Sequence, residues 1–265
     1  MSKTALLRQL HQGPKILVLP NAWDVASARI FETAGFSAIA TTSAGVANSL
    51  GYADGQRISR QEMLQAVERI VKAVSVPVTA DVESGYDEPV ATARALVELG
   101  ASGLNLEDTR SEASLVELGE QVKLIESVRS KTDLVINART DIYLFSIGDP
   151  ATLFDRTLER LNAYWKAGAD SLFVPGLRDP AIISRLTGAI DAPINILATA
   201  GTPPIAELER LGVRRVTIGS GAMRATMGLT QRIAKELLER GTYSSFTDGA
   251  ISYLDANRLF EVTAL

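Results

Sequence analysis

A closed (β/α)8 barrel is the architecture to expect from this chain, on three grounds. A helical stretch ending in a small residue plus Gly is followed within a few positions by an apolar run, and the beat returns around Gly35, Gly100, Gly168 and Gly212. Further apolar runs, entered through Pro or Asp, begin at Val76, Asp133 and Ala192, and ILVLPN from Ile16 brings the total to eight. The runs are short and apolar without alternation, as parallel strands covered by helices on their outer face require. An open, doubly wound sheet is the competing arrangement.

Taken in order, a helix over about residues 3–12 precedes strand one, ILVLPN. AGFSAIATTS is strand two, its Gly35 placed where a helix C-cap needs a left-handed residue. Ser59 and Glu62 form a capping box, after which Met63, Leu64, Val67, Ile70, Val71 and Val74 recur at helical spacing. VPVTADVE, LGASGLNLED and DLVINART follow as strands three to five, with helices over about 90–99 and 115–128 between them. A helix over 153–167 leads to AGADSLFVPG, then come APINILAT, a helix over 205–211, and LGVRRVTIGS. A helical extension over about 221–265 opens with a stretch at 223–238. No Pro/Ser-rich linker or charge block interrupts the chain, so residues 1–265 read as one domain.

Composition narrows the function classes. In 265 residues, 27 Lys+Arg stand against 31 Asp+Glu, and there is no basic run to release counterions from nucleic acid or to dock on a membrane. The longest uncharged stretch, residues 33–53, is too rich in Ser, Thr, Asn and Gly to span a bilayer. The N-terminus lacks an apolar secretory core, so a cytoplasmic protein with a small-molecule partner is expected. The absence of cysteine excludes disulfides, thiolate metal sites and a thiol nucleophile.

In such a barrel the working face lies at the carboxyl ends of the strands. Strand one ends at Asn21, ahead of Trp23 and Asp24; strand two ends in Thr41, Thr42 and Ser43, with Asp54 beyond. Strand three ends in Asp81 and Glu83, strand four in Glu107 and Asp108, strand five in Arg139, Thr140 and Asp141. The sole histidine, His11, precedes strand one, and no lysine falls at a strand's carboxyl end, which argues against imidazole and Schiff-base chemistry. Asp81, Glu83 and Glu107 converge from adjacent strands, and a hard divalent cation, Mg2+ with Mn2+ as a substitute, neutralises such a set economically. The alternatives are that these acids pair with Arg139, or that Glu83 starts a loop. Arg139 either grips a substrate carboxylate through a planar two-point contact or pairs with Glu107 or Asp141. Thr42, Ser43, Ala44 and Gly45 form a small-residue loop that either presents donors to an oxyanion or simply turns. Gly219, Ser220 and Gly221 read as a tight turn in preference to a phosphate cradle.

The motifs TTSAGVANSLGYAD, ADVESGYD, NLED and NART, in this order at successive strand ends, resemble those of the isocitrate lyase/phosphoenolpyruvate mutase superfamily over about residues 17–225. The resemblance implies a (β/α)8 barrel with C-terminal helices exchanged between subunits, usually a dimer of dimers, and a site binding Mg2+ and α-keto or 2-hydroxy acids. It makes Asp81 the direct metal ligand, with Glu83 and Glu107 acting largely through water. Asp54 orients water or substrate, Arg139 binds the carboxylate or enolate side, and residues 42–45 hold the keto-acid end, by Thr42 or by Ser43. In that scheme Asp54, Ser43 and Arg139 are the catalytic candidates. The lyase branch carries a Cys and a His after strand four, and the mutase branch a Lys-Thr-Asn-Ser-type loop; DTRSEASLVELG at 108–119 has neither. Bond cleavage through a pyruvate enolate remains, with oxaloacetate-like decarboxylation foremost, because carbon dioxide leaves unprotonated. The alternatives are P–C bond hydrolysis or mutation, with Ser111 or Ser114 lending a hydroxyl, and a non-catalytic keto-acid binder. The apolar stripe of Ile251, Tyr253, Leu254, Leu259 and Phe260 packs either on another subunit or on its own barrel.

Overall fold

The computed structural model describes residues 1–111 and 114–261. Strand β1 comes in two pieces, Leu17–Leu19 and Asn21–Ala22, split at Pro20, which has no N–H for a ladder. The others are β2 (Ile39–Thr41), β3 (Val78–Asp81), β4 (Gly103–Glu107), β5 (Val135–Arg139), β6 (Ser171–Phe173), β7 (Ile194–Leu197) and β8 (Arg215–Thr217). Each pairs in parallel with its neighbour in sequence, the first piece of β1 pairs with β8 and the second with β2. The sheet therefore returns to its own first strand, and the expected barrel is what forms.

Helices α1 (Lys3–His11), α2 (Val25–Thr33), α3 (Ser43–Ser49), α4 (Arg60–Ala73), α5 (Pro89–Glu98), α6 (Leu118–Lys131), α7 (Ile142–Phe145), α8 (Leu153–Lys166), α9 (Pro180–Ala189) and α10 (Ile205–Arg210) join or cover the strands. The chain continues through α11 (Gly221–Arg240), α12 (Ser244–Thr247) and α13 (Tyr253–Arg258). The Ser59–Glu62 capping box is present. Four elements depart from expectation, the short helix α7 after Asp141 being one. Residues 43–49 form helix α3 where a loop was expected. The helix expected from 115 begins at Leu118, because Ser114–Leu115 pairs with Thr109–Ser111 as a hairpin. Helix α9 is additional, started by Asp179, whose side chain accepts from the Ala181 and Ile182 amides. Among the described residues no helix is long and apolar enough to cross a membrane.

Alternation hidden inside the apolar runs sorts the strands' two faces. Leu104, Leu106, Ile136, Ala138, Ile194, Ile196 and Val216 join the main core with the helices. Their neighbours Asn105, Glu107, Asn137, Arg139, Asn195 and Arg215 turn into the barrel. Helix α1 closes the barrel's amino end. Its Leu7 packs with Leu17, Leu19, Ala38, Ala40 and Val135, while Arg8 reaches the Asp133 carbonyl and the Asp170 carboxylate at 2.8 Å each.

Candidate active site

Pairing register places the charged residues of the mouth. Asp81 lies beside Asn105, Asn105 beside Asn137, and two residues further along the strands Glu107 lies beside Arg139 and Arg139 beside Phe173. Asp81, at the end of β3, is buried and held on both oxygens. Its Oδ2 accepts from the Ser43 amide at 3.1 Å and the Ser43 hydroxyl at 2.9 Å, and its Oδ1 accepts from Asn105 Nδ2 at 3.3 Å. Ser43 can do this because it opens α3, while Thr42 is the N-cap, its hydroxyl accepting from the Gly45 amide at 3.3 Å. Between Thr42 and Ser43, then, Ser43 faces the acids. The segment is committed to Asp81 and to its own cap, so the Ser43 amide and hydroxyl are not idle oxyanion donors. Gly45 answers to packing: a Cβ there would come within 2.6 Å of Thr42 Cγ2 and 3.0 Å of Trp23 Cβ.

Arg139 is shared by two acids. Its Nη1 meets Glu107 Oε2 at 2.8 Å, while Nε and Nη2 meet the two oxygens of Asp141 at 2.6 and 3.1 Å. Both pairings left open by the sequence are therefore made, and the guanidinium also lies 5.7 Å from the Phe173 ring centre. Burial works against the charge on Arg139, but Glu107, Asp141 and Asp81 outweigh it and raise its pKa, while lost solvation raises that of Glu107 well above the usual carboxylate range against the pull of Arg139. Five N–H groups less three engaged leave two, enough for a planar anion.

Glu83 is buried with φ +55°, a left-handed backbone that aims its carboxylate at the Gln56 amide, 3.1 Å from Oε1. Lost solvation, then Asp81 and Asp54, push its pKa up to about 7. It both starts a loop and belongs to the acidic cluster. Asp54 stands on the exposed turn between α3 and α4, open to water on one side and crowded by protein on the other. Its pKa is raised, first by lost solvation and also by Asp81, against the Gly55 amide and Arg139. Asp81, Glu83 and Glu107 stand near enough at the mouth for Asp81 to help raise the pKa of both glutamates, but they are not one closed set. Among the described residues no three acids or imidazoles stand close enough to enclose an ion by themselves. The cause is local: Arg139 draws Glu107 to itself, and Gln56 turns Glu83 aside.

Asp108 leaves the mouth altogether. Fully buried, it accepts from Tyr164 Oη at 2.7 Å and Arg160 Nη1 at 3.1 Å on α8, and from the Asp141 amide at 3.1 Å. His11 is likewise at the other end of the barrel, its Nδ1–H on the Leu7 carbonyl at 2.8 Å. The turn at Gly219 gives its amide, with that of Ile218, to Asn21 Oδ1 at 2.9 and 2.8 Å, as a tight turn and not a phosphate cradle. The Ser111 side chain lies outside the described part of the chain. Sequence reasoning missed Asn105 and Arg215, which lie beneath the acids; polar residues at alternate positions in GLNLE and RVT were the available signal. Two concavities flank the mouth, one of about 460 Å³ beside Trp23, Leu50 and Arg69 and one of about 530 Å³ beside Tyr52, Arg57 and Tyr86. Neither is lined by Asp81, Glu107 or Arg139.

Comparison with known proteins finds a family and relatives for the chain. A family profile described as phosphoenolpyruvate phosphomutase matches residues 7–238. A protein of Mycobacterium tuberculosis is 38% identical over 211 residues, covering 79% of this chain and 80% of its own. The oxaloacetate decarboxylase of Pseudomonas paraeruginosa is 31% identical over 251 residues, covering 91% and 86%. The crystal structure of a candidate lyase/mutase of Burkholderia cenocepacia superposes with a TM-score of 0.91 at 34% identity, covering 98% and 96%.

Proposed function

The chain belongs to the isocitrate lyase/phosphoenolpyruvate mutase superfamily of lyases and mutases, and from that premise we propose that it cleaves a small α-keto or 2-hydroxy dicarboxylate with the help of a divalent cation. Decarboxylation of an oxaloacetate-like acid fits its residues best. The observation that carries this reading is the surplus of carboxylate at the mouth. Asp54, Asp81, Glu83, Glu107 and Asp141 gather around Arg139. An all-oxygen set of this kind suits Mg2+, or Mn2+ in its place, which takes one or two carboxylates and keeps water on its other positions. Asp81 would hold the ion, with Glu83 and Glu107 reaching it through water. When bound, the ion supplies positive charge that polarises a keto oxygen.

The chain's own groups do the rest. Ser43 and Asn105 fix the Asp81 carboxylate. Arg139, held flat by Glu107 and Asp141, offers its remaining N–H groups to a substrate carboxylate. Loss of carbon dioxide breaks the C3–C4 bond, the electron pair stays on the substrate as an enolate, and C3 then takes one proton from water. The departing group needs no acid, which suits a chain with no cysteine and with its one histidine at the opposite end of the barrel.

Incubation with oxaloacetate and Mg2+ should yield pyruvate and carbon dioxide, at a rate abolished by a chelator and lowered about 100-fold or more by Asp81→Ala. Phosphate release from phosphonopyruvate would favour P–C chemistry instead, the reading supported by the family profile's description. Tight oxalate binding without turnover of any keto or hydroxy acid would make this a non-catalytic binder.

A further inference from the structure

Beneath the acids lies a cation that the proposed reaction does not use. Arg215 on β8 is fully buried, and among the described residues no carboxylate forms an ion pair with it. Its Nε has no partner, its Nη1 lies 3.4 Å from His11 Nε2 below, and its Nη2 lies 3.5 Å from Asn105 Oδ1 above. The His11 ring spends its Nδ1–H on the Leu7 carbonyl, so Nε2 presents a lone pair to the guanidinium. A buried, unpaired guanidinium is costly and is not placed by packing alone, since an apolar side chain would fill the same space more favourably.

Asn105 shows what the charge achieves. Its Oδ1 faces two donors, Asn137 Nδ2 at 2.7 Å and Arg215 Nη2, so its amide has only one sensible orientation. That orientation turns Nδ2 upward, where it donates to Asp81 Oδ1. We propose that Arg215 is a positioning residue, which through Asn105 sets the orientation of the Asp81 carboxylate and so its capacity to hold a divalent cation. Asp81 is thereby clamped from two sides, by Ser43 on Oδ2 and by the Arg215–Asn105 pair on Oδ1. Burial lowers the Arg215 pKa to about 9, with Asp81 acting the other way, which leaves the guanidinium charged at neutral pH.

This rests on the reading that Asp81 binds a cation, and two readouts keep the failures apart. The first is the Mn2+ dissociation constant, measured by titration calorimetry on folded protein. Arg215→Met should weaken Mn2+ binding about tenfold, the size expected for a group behind a ligand, and Arg215→Lys should recover most of it. Placed on top of Asn105→Ala, Arg215→Met should change nothing further. Unchanged or tighter Mn2+ binding by folded Arg215→Met, or an effect that persists in the Asn105→Ala background, overturns the proposal. The second readout is the side-chain amide resonance of Asn105 in metal-free protein, which should shift in Arg215→Lys; an unmoved resonance sinks the relay, and this variant decides the matter where Arg215→Met fails to fold. If the unaltered protein takes up no Mn2+, the cation reading fails while the resonance still tests the relay.

Discussion

Glu83 shows how the surplus of negative charge at the mouth acts on one side chain. Its pKa in the folded protein is about 7, against 4.5 for the free group, so the folded state holds a proton there that the unfolded state has released. Between those values the folded state binds more protons, and stability falls as pH rises from 4.5 through 7. In chelator-treated protein, Glu83→Gln should therefore be the more stable form at pH 8, by about 3 kcal/mol, with the gain gone below pH 4.5. Urea midpoints at the two pH values check this, and equal midpoints at pH 8 would refute it. The same residue shows what the sequence discloses of the site. ADVE announces two acids two positions apart, but the φ of +55° that swings Glu83 toward Gln56 depends on the loop around it. Arg139 was legible as a partner of Glu107 or of Asp141; that one planar group serves both follows only from the register of β4 against β5. Arg215 was harder to read as a site residue, because the polar alternation in RVT is only three residues long and gains its meaning when the barrel closes around it.

At the scale of elements, what was legible followed from pattern strength. Helices α4 and α8 carry clear apolar stripes and lie within a residue or two of expectation. Helix α3, SAGVANS, has no stripe because its small residues face packed neighbours, and it reads as a loop until Thr42 caps it. The turn after β6 shows how such connections guard the site. Gly176 has φ +84°, and a Cβ there would fall 2.7 Å from both Leu144 N and Leu144 Cα, in the backbone of α7. Helix α7 directly follows Asp141, so the clash would pass to the residue that holds Arg139. Gly176→Ala should cost about 3 kcal/mol, and roughly 6–12 °C in melting temperature, with a matching loss of activity. A melting temperature within a degree or two of the parent would show that the turn yields.

Helix α1 makes a second prediction at the same scale. Burial, then Arg215, lowers the His11 pKa from 6.5 to about 4, so His11 is neutral in the folded protein and the unfolded chain takes up its proton first. The stability this represents is complete above pH 6.5 and is lost as pH falls toward 4, about 3 kcal/mol in all. His11→Gln should therefore lose less stability than the parent between pH 7.5 and 4.5 in denaturant titrations. Parallel losses in the two proteins would mean that the ring is not what makes the plug acid-sensitive.

For the whole molecule, the barrel and the arm beyond it obey different rules. The barrel buries its apolar residues against its own helices, but α11 to α13 do not: Leu238 is 87% exposed, Tyr253 83%, Leu254 66%, Tyr243 61% and Ile251 56%. Only Met223 and Glu236 of the twenty residues of α11 are buried, and Glu236 is occupied in gathering the Thr242, Ser244 and Ser245 donors that fold the chain back after Gly241. Exposed apolar side chains on so shaped an arm are a surface for association, and we propose that a second copy of the chain covers it. The contact of Arg29 Nε with the Leu259 carbonyl at 2.7 Å ties the end of the arm to α2, so the stripe around Tyr253 also borders the barrel's own surface. Light scattering at micromolar concentration should give a mass at least twice the 28.4 kDa of one chain. Leu238→Glu combined with Leu254→Glu should return it to a single chain while the barrel's melting transition survives. A protein that is monomeric without any substitution would mean that these side chains stay in water, and the arm would then need a different explanation.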